Sequence, residues 1–113
     1  MKRRIIEKPW GFEHIWAETE DYVAKMLHIN PKERLSLQYH EKKEETVYVL
    51  EGTLLNWTDD DDSPPQRYNV NQVLHIEPNQ VHRFGAGKSM VRLMEVSTPH
   101  LDDVVRLADD YDR

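Results

Sequence analysis

The sequence predicts an all-β fold, a jelly-roll barrel formed as a single domain over residues 1–113. Two observations support this prediction. About seven or eight short runs rich in β-branched, aromatic and other apolar side chains follow one another, separated by Pro, Gly, Asn and Asp residues that favour turns. The length of 113 residues suits one such domain and leaves little room for a second. A double-sheet jelly roll closes its own edges and leaves a cavity in which a site can form.

Composition and charge exclude several classes of function. The formal net charge is −6, so the overall charge gives no indication of nucleic-acid binding. There are no cysteines, which excludes disulfides, thiolate zinc sites and thiol nucleophiles. No apolar run approaches the roughly 20 residues that span a bilayer. The basic N-terminus is followed by no apolar signal segment, and we therefore expect a cytoplasmic protein without a membrane partner.

The predicted strands either alternate in side-chain character or are rich in β-branched residues. They cover residues 22–29, 35–40, 46–50, 53–58, 72–77, 81–84 and 90–96. The block 59–62 consists of consecutive Asp residues followed by Ser63 and two prolines, which is typical of a solvated loop. As a calcium site this block would lack the glycine and the distal Glu of an EF-hand.

The C-terminal segment has a different periodicity. Leu101, Val104, Val105 and Ala108 recur at helical spacing. The two acidic residues after Leu101 suit the first turn of a helix, because its N-terminus carries a partial positive charge. The sequence therefore predicts a short C-terminal helix over 101–108, packed on the outside of the barrel.

Four side chains with the chemistry of metal ligands are spaced so that they can converge. Gln38 and His40 are two residues apart on one predicted strand, so their side chains point to the same face. Glu45 begins the next strand, and a tight return of the chain would bring it beside them. His82 joins the set only if a later strand runs next to the first two. From spacing alone, a hairpin whose polar face points to water explains the same residues, because such faces are common in antiparallel sheets.

An amide oxygen, a carboxylate and two imidazoles form a mixed nitrogen and oxygen donor set. This set suits a single divalent ion of zinc, manganese, cobalt, nickel or iron, with open positions for water or substrate. A buried His and Glu without partners would destabilise the fold by several kcal/mol, and a metal ion removes that cost.

Residues 31–52 (PKERLSLQYHEKKEETVYVLEG) resemble the first sequence motif of the cupin superfamily. His40, Glu45 and Gly52 fall where that motif has its His, Glu and Gly. Gln38 stands in the place of the first of its two usual histidines. The resemblance implies a cupin fold, which is the double-stranded β-helix form of the jelly roll.

Residues 78–82 (PNQVH) resemble the second cupin motif, in which Gln80 replaces the usual Gly and Ala86 replaces a later Asn. The likeness is closer to the C-terminal domain of bifunctional mannose-1-phosphate guanylyltransferase/mannose-6-phosphate isomerases, the type II phosphomannose isomerases. The segments that carry it are KPWG (8–11), LSLQYH (35–40), VHR (81–83) and DDVVRLADDYDR (102–113).

The resemblance implies aldose–ketose isomerisation, with mannose 6-phosphate converted to fructose 6-phosphate. A metal ion at Gln38, His40, Glu45 and His82 would act as the Lewis acid that stabilises the enediolate oxygens. The nucleotidyltransferase domain of that family and its Gly-rich loop do not occur in this sequence, so guanylyl transfer is not expected.

Isomerisation also needs a base and a cationic pocket for the phosphate. Lys25 alternates with the apolar residues of its strand so that it should face the interior, and it is a candidate base or phosphate anchor. If the alternation is interrupted at this position, Lys25 faces solvent instead. Glu95 is a candidate general base, although both phases of its strand are nearly equally apolar. Candidate substrate contacts are Arg34, which is equally well explained as a solvated turn residue, Lys8 from the family's opening motif, and Arg83, which strand alternation points away from the metal.

Two other classes of function fit the same residues. Many chemistries occur on this fold, so an epimerase, lyase or dioxygenase is one alternative. A sugar-binding cupin without catalysis is the other. We expect a homodimer, because a small barrel has exposed strands to cover.

Overall fold

The structure, a computed structural model, describes residues 4–59 and 63–111, and within them it contains eleven strands and no helix. The strands are β1 Arg4–Lys8, β2 Gly11–Glu18, β3 Val23–Ile29, β4 Leu37–Tyr39, β5 Glu45–Glu51, β6 Leu54–Trp57, β7 Gln66–Tyr68, β8 Val73–Ile76, β9 Arg83–Gly85, β10 Val91–Ser97 and β11 Val105–Ala108. The all-β prediction is confirmed. Strands β1, β2, β7 and β11 are additional to those predicted from the sequence.

The barrel consists of two facing layers. The larger layer is one antiparallel sheet of six strands in the order β1-β2-β3-β10-β5-β8. The smaller layer combines the three-stranded sheet β7-β6-β9 with the strand pair β11-β4. Isolated backbone bridges, Arg34↔Gly85 and Gln38↔His82, connect these two parts. Strand β10 lies between β3 and β5, so two strands far apart in sequence become neighbours of the same central strand.

The apolar core fills one end of the space between the layers. Its side chains come from the inward phase of the large sheet and from β6 and β9 of the small one. Val47, Val49, Val91 and Leu93 have no measurable exposure to solvent. Each buried side chain of this size stabilises the fold by about 1.5–3 kcal/mol.

Gly52 ends the β5 strand at a position that only glycine tolerates. Its φ is +78°, in the left-handed region that L side chains rarely adopt. A Cβ at this position would lie 2.3 Å from the carbonyl oxygen of Met90. The β5–β6 turn therefore packs directly on the start of β10, which explains the glycine at the end of the first motif.

The predicted C-terminal helix is wrong. Residues Val105–Ala108 form β11, which pairs antiparallel with β4 and completes the edge of the smaller layer. The helical spacing in 101–108 is real, but the free edge of β4 offers backbone hydrogen bonds that an isolated two-turn helix cannot match. The predicted acidic loop falls partly on residues 60–62, which lie outside the described residues. In the described part of the chain there is no helix long and apolar enough to cross a membrane.

Candidate metal centre

Three predicted ligands meet at one end of the cavity. Backbone pairing of Gln38 with His82 places the second histidine beside the strand that leads to His40. Glu45, the first residue of β5, approaches from the opposite layer. One ligand atom from each of His40, Glu45 and His82 lies within 4.8 Å of the other two, and all three side chains are buried. The convergence of two remote segments that the sequence suggested is therefore present.

Both imidazoles are held so that the same ring nitrogen faces the carboxylate. His40 donates from Nδ1 to the carbonyl oxygen of Asp103 at 2.5 Å, and His82 donates from Nδ1 to that of Gln80 at 3.0 Å. A carbonyl can only accept, so each Nε2 keeps its lone pair when the ring is neutral. Glu45 Oε1 lies 3.2 Å from Nε2 of His82 and 3.8 Å from Nε2 of His40.

The electrostatics favour the ligand forms of these groups. Burial lowers the pKa of His40, against an opposing effect of Glu45, so the ring is neutral at pH 7. Burial alone would raise the pKa of Glu45, but the hydrogen bond with His82 and the charge of Lys43 lower it well below its usual range. A metal ion bound between the ionised carboxylate and the two Nε2 atoms would satisfy all three buried groups at once. The donor set of two nitrogens and one oxygen fits a divalent transition metal.

Gln38, the fourth predicted ligand, lines the same cavity. Its amide nitrogen donates to the hydroxyl of Ser36 at 3.0 Å and to the carbonyl oxygen of Ser36 at 3.3 Å. The amide oxygen is thus the atom left to face the cavity, and it is the atom a hard or borderline cation prefers. Ligation by Gln38 remains a prediction.

A chain of alternating charges leads away from the ligand cluster along the inner face of the large sheet. Lys43 Nζ lies 2.9 Å from Oε2 of Glu45 and 3.1 Å from Oε2 of Glu95. Lys25 Nζ lies 3.7 Å from the same Glu95 oxygen and 3.1 Å from Oε2 of Glu13. All five side chains are at most 10% exposed. The name charged layer is used below for Glu13, Lys25, Lys43, Glu45 and Glu95.

Glu95 lies in the middle of the charged layer, between the ammonium groups of Lys43 and Lys25. Burial and the neighbouring charge of Glu45 raise its pKa, and the two ammonium groups of Lys25 and Lys43 oppose this shift. Its Oε2 lies at ion-pair distance from Lys43 but receives no hydrogen bond of good geometry. A buried carboxylate with a raised pKa and an unsatisfied oxygen next to a cavity can exchange a proton with a bound molecule.

The cavity has a volume of about 320 Å³, within the range of small-molecule sites. Its lining residues carry four cationic and four acidic side chains, so a divalent ion at the ligand cluster would make it net positive. The acidic lining residues are Glu13, Glu45, Glu95 and Asp102, and the cationic ones are Lys8, Lys25, Lys43 and Arg106. Among the described residues, no carboxylate is within ion-pair distance of Lys8 or Arg106.

The other predicted site residues divide into two groups. Lys25, Glu95 and Lys8 line the cavity, and the inward phase predicted for Lys25 and Glu95 is the observed one. Arg34 and Arg83 do not line it. Both guanidinium groups bind the carboxylate of Asp110, at 2.5 Å and 2.9 Å, so they hold the C-terminal segment in place rather than face a substrate.

Four charged residues of the cavity were not predicted as site residues: Glu13, Lys43, Asp102 and Arg106. Glu13 lies on the inward phase of β2, and alternation in Gly11–Glu18 could have identified it. Lys43 lies in the loop before β5, where no periodicity indicates direction. Arg106 was assigned to a helix, although it pairs with Gln38 on the β11–β4 edge.

A two-layered barrel that directs two imidazoles and a carboxylate into its cavity is a cupin. A cupin-like protein from Thermotoga maritima has the same fold, with a TM-score of 0.73 at 18% identity over 89% of this chain and 78% of that one. The polyketide cyclase RemF from Streptomyces resistomycificus gives a TM-score of 0.75 at 18% identity, over 99% of this chain and 81% of that one. At these identities the likeness concerns the fold alone.

The chain belongs to the family described as mannose-6-phosphate isomerase C-terminal, whose model matches residues 1–109. A mannose-1-phosphate guanylyltransferase from Escherichia coli K12 is 32% identical over 114 residues, which is 97% of this chain and 23% of that protein. Its counterpart from Sinorhizobium fredii is 28% identical over 110 residues, with 91% and 20% covered. The chain thus spans about a fifth to a quarter of the length of these relatives.

Proposed function

We propose that this chain is a metal-dependent aldose–ketose isomerase that converts mannose 6-phosphate to fructose 6-phosphate. The observation that carries the proposal is the position of Glu95 and Lys25. Both are buried, both line the cavity that contains the ligand cluster, and they form an ion pair at 3.7 Å. A proton-transfer pair beside a cation site is the arrangement that movement of a proton between C1 and C2 of an open-chain sugar requires.

Gln38, His40, Glu45 and His82 would hold the divalent ion. When bound there, the ion supplies Lewis-acid stabilisation for oxygens that gain negative charge. Glu95 would take the proton from one carbon and return it to the next, because burial and the charge of Glu45 raise its pKa and so make the carboxylate a stronger base. Lys25, fixed by Glu13 at 3.1 Å, would hold a sugar oxygen by donating a hydrogen bond.

Lys8 and Arg106 would bind the phosphate. Both line the cavity, and no carboxylate of the described residues forms an ion pair with either. The guanidinium of Arg106 can bind a phosphate through two parallel hydrogen bonds. Arg106→Ala should therefore raise KM for mannose 6-phosphate by about 10- to 100-fold, on the scale of a charge-assisted hydrogen bond, and should change kcat less.

A coupled assay for fructose 6-phosphate, run with added zinc, manganese, cobalt or nickel, tests the proposal. Absence of turnover with every one of these metals would overturn it. His82→Ala should lose bound metal in elemental analysis while its circular dichroism stays that of a β protein. His75→Ala is the matched control, because His75 lies on an exposed position of β8 and outside the cavity lining. Full metal occupancy in His82→Ala would remove His82 from the site.

Another cupin activity is the second candidate, and the raised pKa of Glu95 supports it equally, since epimerases and lyases also move a proton next to a carbonyl. Product analysis after incubation with mannose 6-phosphate in deuterium oxide separates isomerisation from epimerisation. Oxygen uptake with iron(II) would identify a dioxygenase. Thermal stabilisation by sugars without turnover would identify a binding protein.

A homodimer is part of the proposal. The outward face of the large sheet exposes Trp16, Tyr48, Leu50 and Val96, each at least 39% accessible. Such a set of apolar side chains on one face is typical of a surface that a partner covers. Light scattering on the purified protein gives the mass that decides between a monomer and a dimer.

A further inference from the structure

The segment between β10 and β11, residues 98–104, lines the cavity with Leu101, Asp102 and Val104, and Asp103 lies among these residues. We infer that Asp103 is a positioning residue that holds His40 and the loop 41–43 in the geometry needed to bind a metal ion. This role rests on the metal centre proposed above, but it concerns cation binding and not the reaction.

The main chain of Asp103 controls one imidazole. Its carbonyl oxygen accepts from Nδ1 of His40 at 2.5 Å, across 63 positions of sequence. The corresponding bond of His82 goes to Gln80, only two residues away, and is therefore local. The orientation and tautomer of His40 thus depend on a remote segment, whereas those of His82 do not.

The side chain of Asp103 controls the adjacent loop. Its Oδ2 accepts from the backbone N–H groups of Lys42 at 2.7 Å and Lys43 at 2.9 Å, and its Oδ1 accepts from that of Glu41 at 3.1 Å. Lys43 in turn places its ammonium group 2.9 Å from Oε2 of Glu45. One aspartate therefore connects two of the three ligands in the cluster, through its carbonyl on one side and its carboxylate on the other.

The segment has other anchors, so the two effects can be separated from folding. Thr98 N donates to the carbonyl oxygen of Glu44 at 3.0 Å, and Glu44 N donates to Thr98 Oγ1 at 3.0 Å. At the other end, β11 pairs with β4, and Asp110 binds Arg34 and Arg83. Loss of the Asp103 carboxylate leaves these contacts in place. It removes the hydrogen bonds that fix the position of residue 103, whose carbonyl group orients His40.

The test measures cobalt(II) binding by competition with a chromophoric chelator, using the full chain and no sugar. Asp103→Ala should weaken binding by about 10- to 100-fold, which is the usual effect of losing an outer partner of a ligand. Asp103→Asn should recover part of the loss, because the amide oxygen still accepts a hydrogen bond from the loop. Thr98→Val is the matched control: it removes a hydrogen bond between the same segment and the same loop, and it should bind cobalt like the wild type.

The tautomer of His40 gives a second readout that needs neither metal nor activity. Nitrogen chemical shifts of the metal-free wild type should show a proton on Nδ1 of His40, and Asp103→Ala should shift this ring toward a mixture of tautomers while His82 stays unchanged. An unchanged His40 ring in Asp103→Ala would overturn the assignment, as would an equal loss of cobalt affinity in Thr98→Val. A wild type that isomerises no sugar but shows both effects would reject the proposed reaction and retain this role.

Discussion

The charged layer and the apolar core next to it have similar burial and opposite chemistry. Lys25 on β3 pairs with Glu95 on β10. The next inward-facing positions on these two strands are Leu27 and Leu93, which also pair with each other. The neighbouring strands therefore change from charged to apolar at the same height. The buried apolar side chains beyond this change are called the apolar floor, and they are Leu27, Val49, Val91 and Leu93.

The difference teaches how each level is stabilised. The apolar floor needs only to be removed from water, and each side chain contributes separately. In the charged layer every carboxylate faces an ammonium group or an imidazole, because an isolated buried charge is too costly. The charged layer is therefore interdependent, and a single substitution in it affects groups on several strands.

The largest effect is expected when this compensation is broken. Lys43→Met leaves Glu45 and Glu95 without the cation between them and should lower the free energy of unfolding of the metal-free protein by about 3–5 kcal/mol, measured by urea denaturation. Lys43→Met combined with Glu95→Gln should recover part of that loss, since one of the uncompensated charges is then removed. Equal stability of the single and double variants would show that charge compensation does not stabilise this layer.

A substitution in the apolar floor should act locally. Leu93→Ala is expected to lower the free energy of unfolding by about 2–5 kcal/mol, because it leaves a cavity in a fully buried position. Cobalt affinity should stay within about twofold of the wild type, because Leu93 and the metal ligands share no contacts and the effects of such separate sites are nearly independent. A large loss of affinity would mean that the two levels are coupled.

The C-terminal anchor gives a smaller, pH-dependent effect. The hydrogen bond from Arg34, together with the charge of Arg83, lowers the pKa of Asp110, while burial opposes this shift. A carboxyl group whose pKa is lower in the folded state stabilises the fold at pH values above its unfolded-state pKa. This stabilisation is lost as the pH falls below about 4. Asp110→Asn should cost about 1 kcal/mol at pH 7, and the difference from wild type should shrink toward pH 3 in thermal melts. A difference that does not vary with pH would exclude the ion pair as its cause.

The smallest effect is expected on the outer face. Arg92 and Glu51 form an exposed pair at 3.6 Å. Glu51→Gln should change the free energy of unfolding by less than about 0.5 kcal/mol, because water already solvates both groups. A larger change in urea denaturation would contradict the distinction between the outer face and the charged layer.

Much of the site could be predicted because strand alternation fixes direction. The two-residue spacing of Gln38 and His40 and the inward phase of Lys25 and Glu95 follow from the pleat alone. The sequence could predict that His82 joins the ligands only if its strand runs beside that of Gln38 and His40. Which strands become neighbours depends on the tertiary structure, and the sequence does not show it.

The remaining features depend on tertiary contacts that have no local pattern. Lys43 points inward because two carboxylates from different strands attract it, and a loop has no periodicity to show this. The segment 101–108 has a helical pattern, but β4 determines its conformation by offering a free edge. Arg34 and Arg83 were interpreted as substrate contacts, since the sequence does not show that Asp110 reaches both.

The position of β10 has a consequence for how the molecule assembles. Strands β3 and β5 have no direct pairing and are joined only through residues Val91–Ser97. Until that late segment is in place, the chain consists of separate β ribbons whose apolar faces remain open to water. Closure therefore requires contacts between distant parts of the sequence, and we expect folding to be slow and the chain to be prone to aggregation until β10, the sixth strand of the large sheet, is in place.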